Sequence, residues 1–214
     1  MASPWQILWA LGLMAIAIGL SAWQRLGLTW DLTLATGRTI LQLVVVGYVL
    51  AIVFELKNPV VVLAMLGVMS LVATIVARNR ISRTIPAITP IVASSMLTGM
   101  LLTLVYTLLF VIQPRTWYDP QFLIPLGGIV LGNAMNAAAI AGERLVSTLT
   151  SSQLEIETHL SLGATPQQAV ARYRRDAIKA GLIPTVNTMM VVGLVTLPGI
   201  MTGQLLSGVP PLVA

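Results

Sequence analysis

Six long apolar segments restrict what this chain can fold into more than any other feature. They cover about residues 5–23, 32–54, 60–77, 91–112, 122–141 and 183–206, the last of which is interrupted by Pro198-Gly199. Charged residues make up 9% of the chain, whereas soluble domains carry about 25%. Because lipid cannot satisfy unpaired backbone groups, segments of this length are expected to be helices rather than the shorter, alternating strands of a barrel. The pattern therefore predicts an all-α, polytopic membrane protein with six transmembrane helices in a single domain, residues 1–214.

The basic residues predict the orientation in the membrane. Two, Lys57 and Arg115, fall on one side, and nine fall on the other: Arg25, Arg78, Arg80, Arg83, Arg144, Arg172, Arg174, Arg175 and Lys179. Because basic loops stay in the cytoplasm, the N-terminus is predicted outside a bacterial-type plasma (inner) membrane, with loops 78–86 and 142–182 cytosolic. The net charge of +5 is explained by this asymmetry, so no nucleic-acid partner is expected. The apolar tail after the sixth segment leaves open a seventh span missing from the C-terminus.

The polar stretch within 142–182 is predicted to contain a short helix. Ser151 or Ser152 can cap its start, acidic residues in its first turns complement the helix dipole, and Gly163 can end it before Pro166 starts the next helix. Two interpretations remain open: a helix lying on the lipid surface, or a coupling helix that docks on a cytosolic partner. The candidate docking residues are Glu155, Glu157, His159, Leu160, Leu162, Gly163, Ala164 and Thr165.

The chain carries no recognisable catalytic machinery. A phosphate-binding Walker loop needs a lysine after glycine, and neither Lys57 nor Lys179 has one. The single histidine, His159, and the absence of cysteine offer no hydrolase constellation and no metal site. We therefore expect a protein that is not an enzyme and has no cofactor of its own, with any ATP and Mg²⁺ bound by a partner subunit.

Four polar residues inside the apolar segments are candidates for a substrate path. Arg38 and Gln42 share a face of the second segment, and Asn133 and Asn136 share a face of the fifth. The alternatives are that Arg38 extends to the headgroups and that the asparagines bond neighbouring helices. Two small-xxx-small patterns predict close helix packing, at Gly128 and Gly132 and at Gly199 and Gly203.

Several separate stretches, in order, resemble a known family of membrane proteins. They are Gly37-Arg38-Thr39-Ile40-Leu41-Gln42-Leu43, Val46-Gly47-Tyr48-Val49-Leu50, Gly132-Asn133-Ala134-Met135, Leu160-Ser161-Leu162-Gly163-Ala164-Thr165, Leu182-Ile183-Pro184-Thr185-Val186 and Val192-Gly193-Leu194-Val195-Thr196-Leu197-Pro198-Gly199. The chain is similar here to the FetB family of ABC-transporter permeases, which includes plant aluminium-sensitivity proteins of the ALS type. Glu157 to Gly163 is similar to the Glu-Ala-Ala-x-x-x-Gly loop of ABC permeases, with Thr158-His159 in place of the two alanines.

The resemblance implies a permease subunit that pairs with a separate cytosolic ABC ATPase. Bacterial members are assigned to iron export, plant members are associated with metal tolerance, and UDP-glucose movement has been proposed. We expect two permease chains, surrounded by membrane lipid, each placing its 151–165 helix on one ATPase subunit. The alternatives are a permease for UDP-glucose or another anionic solute, an ATP-independent carrier or channel, and a membrane scaffold that transports nothing.

Overall fold

The computed structural model describes residues 4–25, 27, 29–82, 85, 87–114 and 116–211. Within these residues every regular element is a helix, and one isolated bridge pairs Val192 with Thr196. Arg83 and Arg115, which the orientation prediction counts, lie outside the described residues. The helices are α1 Pro4–Trp23, α2 Thr29–Leu56, α3 Pro59–Ile81, α4 Ile88–Tyr106, α5 Pro120–Ser151, α6 Gln153–Ser161, α7 Pro166–Ala169, α8 Ala171–Val191 and α9 Gly199–Leu206, and a π-helical segment, Thr107–Ile112, continues α4.

Four of these elements are long and apolar enough to cross a membrane: α2, α3, α4 with its π-helical continuation, and α5. The shortest of them, α3, has 23 residues, which at about 1.5 Å per residue spans the hydrocarbon core. They contain the second to fifth predicted segments. The first, 5–23, coincides with α1, whose described apolar part, Gly12–Trp23, is shorter. The all-helical fold is therefore confirmed for the described residues, and four of the six predicted spans are recognisable by length and composition.

The sixth predicted segment, 183–206, differs most from the expectation. Its first half is the end of α8, which begins earlier, at Ala171, in the basic stretch. The helix ends at Val191 because Gly193 turns the chain at φ 85°, and α9 begins only after Pro198. The segment is therefore two helices separated by seven non-helical residues, 192–198, so the predicted interruption at Pro198-Gly199 is present but begins six residues earlier, at Val192.

The chain divides into two compact units, residues 1–58 and 59–214. In the first unit α1 packs against α2, and Ser21 and Val53 are buried. In the second unit α5 is central, because it contacts α3, α4 and α8. The prediction of a single domain remains a prediction.

The core of the second unit lies between α3, α4 and α5. Its buried side chains are aliphatic and methionine residues at helical spacing, and the hydroxyl of Thr74 in α3 donates to Met96 Sδ in α4 at 3.8 Å. Since lipid tails are as apolar as these side chains, the packing itself rather than exclusion of water holds the helices together. The buried apolar residues of these three helices are Val62, Leu66, Ala73, Ala77, Val92, Met96, Met100, Leu104, Leu123, Ile124, Leu131 and Ala139.

Glycines mark the closest helix approaches of this unit. A Cβ added to Gly127 would lie 2.5 Å from Leu66 Cδ2, and one added to Gly142 would lie 2.6 Å from Ile81 Cγ1. A Cβ on Gly181 of α8 would lie 2.7 Å from the carbonyl oxygen of Ala137 in α5. At Gly181 a side chain would push against the backbone of α5, whereas at Gly127 and Gly142 it would displace the side chains of Leu66 and Ile81.

The glycines named from small-xxx-small patterns are placed differently. A Cβ on Gly128 would lie 3.3 Å from Met69 Cε, which is a tight but adjustable contact. A Cβ on Gly132, Gly199 or Gly203 would meet no atom of another described element within 4 Å. The spacing pattern alone does not indicate which helix face meets a neighbouring helix. The closest approaches are at Gly127, Gly142 and Gly181, and none of these glycines belongs to the two predicted patterns.

Candidate functional site

The helix α6 buries none of its residues. It follows α5, which runs as one helix to Ser151, and it begins where Ser152 leaves helical geometry at φ −105° and ψ 22°. The Ser152 carbonyl accepts the N–H of Ile156 at 3.1 Å, although its hydroxyl makes no capping hydrogen bond. Leu154 and Leu162 are 79% and 80% exposed. The segment therefore presents apolar side chains outside the packed helices.

The polar docking candidates of α6 lie on the same exposed element. Glu155 is in the first turn, where its charge complements the helix dipole, and His159 is in the last turn. Glu157 Oε1 accepts a hydrogen bond from Gln153 Nε2 at 3.0 Å. Both carboxylates and the imidazole are exposed, so they are free to contact another protein.

The end of α6 is fixed by Gly163. This residue adopts φ 89°, which favours glycine, and its N–H donates to the Leu160 carbonyl at 3.0 Å. The N–H of Ala164 donates to the His159 carbonyl at 3.1 Å, which completes a Schellman motif. The sequence prediction that Gly163 ends the helix agrees with this geometry.

A capping box starts α7 immediately afterwards. Thr165 Oγ1 accepts the backbone N–H of Gln168 at 3.3 Å, and Gln168 Oε1 accepts the backbone N–H of Thr165 at 2.9 Å. Pro166 occupies the first turn, as predicted from the sequence. The capping box was not predicted, although Thr-x-x-Gln is a recognised start signal for a helix. The two motifs leave only residues 162–165 between α6 and α7.

Tyr173 lies in the first turn of α8, close to the segment that contains α6 and α7. Its side chain is buried, and its hydroxyl oxygen forms no hydrogen bond of regular geometry within the described part of the chain. The nearby Glu155 carboxylate, first as a hydrogen-bond acceptor, and then burial raise the pKa of Tyr173 above its ordinary value, while Ser152 acts in the opposite direction. The side chain of Tyr173 in α8 therefore lies near Ser152 and Glu155 at the start of α6. No sequence pattern predicts this proximity apart from an aromatic residue within a basic run.

A groove lined by both polar and apolar residues lies between α5 and α8, next to their contact at Gly181. It has a volume of about 370 Å³, and Asn133 and Asn136 of α5 line it. The opposite wall is formed by α8, with Thr185 and Thr188 among its lining residues. The structure thus brings both predicted asparagines into one groove. The threonines were missed, although their spacing of three residues matches that of the asparagines and places them on one helix face.

The other two path candidates lie in the first unit. Arg38 and Gln42 are exposed residues of α2, one turn apart. Arg38 is nine residues from the start of the helix at Thr29, which corresponds to about 14 Å along the axis. Their part in a substrate path remains a prediction, as does that of the asparagines.

Metal-ligating side chains are not clustered in the residues that the structure describes. No group of three or more histidine, aspartate, glutamate or cysteine side chains is placed to hold a metal ion there.

Comparison with known proteins gives a consistent result across nearly the whole chain. A family model described as "Uncharacterised protein family (UPF0014)" matches residues 4–214. The UPF0014 membrane protein slr1647 of Synechocystis is 55% identical over 95% of this chain and 79% of its own length. The probable iron export permease protein FetB of Escherichia coli is 36% identical over 96% of this chain and 78% of its own.

A plant protein is similar over the same range. Protein ALUMINUM SENSITIVE 3 of Arabidopsis thaliana is 34% identical over 96% of this chain and 74% of its own length. No solved structure matches the chain. Because the family model and these relatives cover both units, the chain belongs to the UPF0014 family of membrane proteins.

Proposed function

We propose that this chain is the membrane-spanning permease subunit of an ABC transporter that exports iron or a metal-related solute. The observation that carries the proposal is α6, an exposed helix with a defined start and end, inserted after the fourth long apolar helix. The similarity of the whole chain to a protein named as a probable iron export permease supports the transport role and the substrate.

The proposed topology follows the distribution of charge. Six membrane segments, counting α1 and the broken α8–α9 pair, place the N-terminus outside and the basic α6–α8 region in the cytoplasm of a bacterial-type plasma membrane. The coupling region of about 142–182 then comprises the end of α5, α6, α7 and the basic half of α8. Two chains form the membrane part of the transporter.

Energy comes from the partner in this proposal. A separate cytosolic ATPase binds ATP and Mg²⁺ and receives α6 in a cleft on its surface. The exposed Leu154 and Leu162 are the apolar contacts, and Glu155, Glu157 and His159 are the polar ones. When the ATPase subunits close on ATP, α6 moves with them and carries the attached helices.

The test uses Leu162, because its side chain contributes nothing to packing within the chain. We expect Leu162→Asp to lose co-purification with the proposed ATPase subunit when the two are co-expressed, by about tenfold or more, since a buried interface leucine replaced by a charge costs several kcal/mol. Leu162→Met, the matched control, keeps the apolar contact and retains binding. Wild-type binding by Leu162→Asp would contradict docking on α6.

A second variant tests the geometry of the helix end. Gly163→Val forces a branched side chain into φ 89°, whereas Gly208→Val makes the same change at φ 90° far from α6 in the sequence. We expect the first to lose solute-stimulated ATPase activity of the complex and the second to keep it. Transport by the purified chain alone in liposomes would instead indicate an ATP-independent carrier.

A further inference from the structure

The turn between α8 and α9 leaves backbone groups without partners. The Gly193 N–H donates to the Thr196 carbonyl at 2.8 Å, and the Leu194 N–H donates to the Val191 carbonyl at 3.2 Å. In a continuing helix these two donors would serve the carbonyls of Met189 and Met190. Those two carbonyls accept no hydrogen bond from any residue that the structure describes. The end of α8 therefore presents free carbonyl oxygens.

These oxygens lie at membrane depth in the proposed topology. Lys179 is the last basic residue of α8, and Val191 follows it by twelve residues, which is about 18 Å of helix in a hydrocarbon layer of about 30 Å. Lipid offers no hydrogen-bond donors, so irregular backbone at this depth occurs only against protein or a water-filled cavity. Broken helices of this kind mark binding sites in transporters, and free carbonyls at a helix end attract cations.

The groove extends along α8 as far as Met189, three residues before the break begins at Val192. Thr185, Thr188 and Val192 follow at three and four residues, so they share one face of α8. The groove volume of about 370 Å³ could hold about a dozen water molecules at roughly 30 Å³ each. Its lining residues are Asn133, Asn136, Ala137, Ile140, Gly181, Pro184, Thr185, Thr188 and Met189, and none of them is charged.

We propose that the groove and the break form one hydrated site that binds a metal cation together with its shell of water or small ligands. Uncharged amide, hydroxyl and carbonyl oxygens accept hydrogen bonds from such a shell. A bare cation would lose its hydration here without a carboxylate to replace it, at a high free-energy cost. This inference deepens the proposed function by naming the form in which a metal would travel.

The absence of cysteine from the chain allows a direct test of hydration. Single variants Thr188→Cys and Val195→Cys place a thiol in the groove and in the break, and Leu102→Cys is the matched control. Val195 and Leu102 are 80% and 69% exposed. Leu102 follows the start of α4 by fourteen residues, which gives it a similar depth of about 21 Å.

The purified chain, without any ATPase, is reconstituted in liposomes and treated with a charged methanethiosulfonate reagent. We expect Thr188→Cys and Val195→Cys to react about tenfold faster than Leu102→Cys, because the thiolate forms only in contact with water. Equal rates would overturn the proposal, as would spontaneous cross-linking of Thr188→Cys between two chains. Because no ATPase is present, this result is independent of whether α6 is a docking helix.

The Thr188→Cys variant also tests whether the cation binds together with its shell of ligands. Hexaamminecobalt(III) has six ammonia ligands that do not exchange, so a protein can bind it only through that shell. We expect it to slow the labelling of Thr188→Cys severalfold, and we expect Asn136→Leu, but not Asn136→Gln, to remove this protection. Protection by aqueous Mn²⁺ but not by the cobalt complex would indicate direct coordination and overturn the proposed form of the ligand.

Discussion

The helices α3 and α8 both pack on α5, yet they do so in opposite ways. α3 buries residues along most of its length, from Val62 to Ala77. α8 buries three residues at intervals of four, Tyr173, Ala177 and Gly181, and all residues from Leu182 to Met190 are exposed. The difference indicates that α3 belongs to a fixed core, whereas the outer half of α8 is held only at its base.

The largest expected difference between the two helices is in stability. Leu66→Ala in α3 empties a packed position beside Gly127, and we expect it to lower the free energy of unfolding by about 2–5 kcal/mol. Ile183→Ala in α8, the matched control, removes a side chain that is exposed, so its effect should be small. Thermal unfolding of both variants in detergent measures the two losses of stability. Equal losses would mean that α8 is packed as firmly as α3.

The next largest effect concerns the closest contact of α8 with α5. Gly181→Leu places a side chain against the Ala137 carbonyl, and we expect a loss of about 1–3 kcal/mol or more, since the helices must separate. Gly132→Leu puts the same side chain where no other described element approaches within 4 Å. The two variants are compared by their unfolding temperature and by the yield of folded protein. Full stability of Gly181→Leu would show that the contact at Gly181 is dispensable.

The smallest expected effect is a pH dependence at the base of α8. The pKa of Tyr173 is raised in the folded state above its ordinary value of 10.0. The neutral hydroxyl therefore contributes its full stability below about pH 10, and this contribution is lost as the pH rises through the folded pKa. We expect Tyr173→Phe to lose stability less steeply than the wild type between about pH 9 and pH 11. Parallel unfolding curves would show that Tyr173 does not titrate with folding.

Sequence reasoning recovered the parts of this fold that depend on local composition. Long apolar runs predicted α2 to α5, and the Gly163 and Pro166 signals predicted the boundaries around α6, because these features act within a few residues. Pro198-Gly199 likewise predicted the interruption before α9. The earlier end of α8 at Val191 was not predicted, because the apolar run continues through Leu197 and hydropathy carries no information on the turn at Gly193.

The candidate site was less predictable, since it depends on which helix faces meet. Asn133 and Asn136 were recognised because polar residues are rare in apolar segments. Thr185 and Thr188 are less conspicuous, and only their position across from the asparagines makes them part of the groove. The role of Gly181 depends on the approach of α5, which no spacing within α8 can reveal.

The position of Gly181 within α8 has a mechanical consequence. Tyr173 lies eight residues before it and Val191 lies ten residues after it, so the two arms measure about 12 Å and 15 Å. A rigid rod that pivots at Gly181 would swing its two ends in opposite directions by nearly equal amounts. A push of a few ångströms on the Tyr173 arm would then move the Val191 end by a similar distance in the opposite direction.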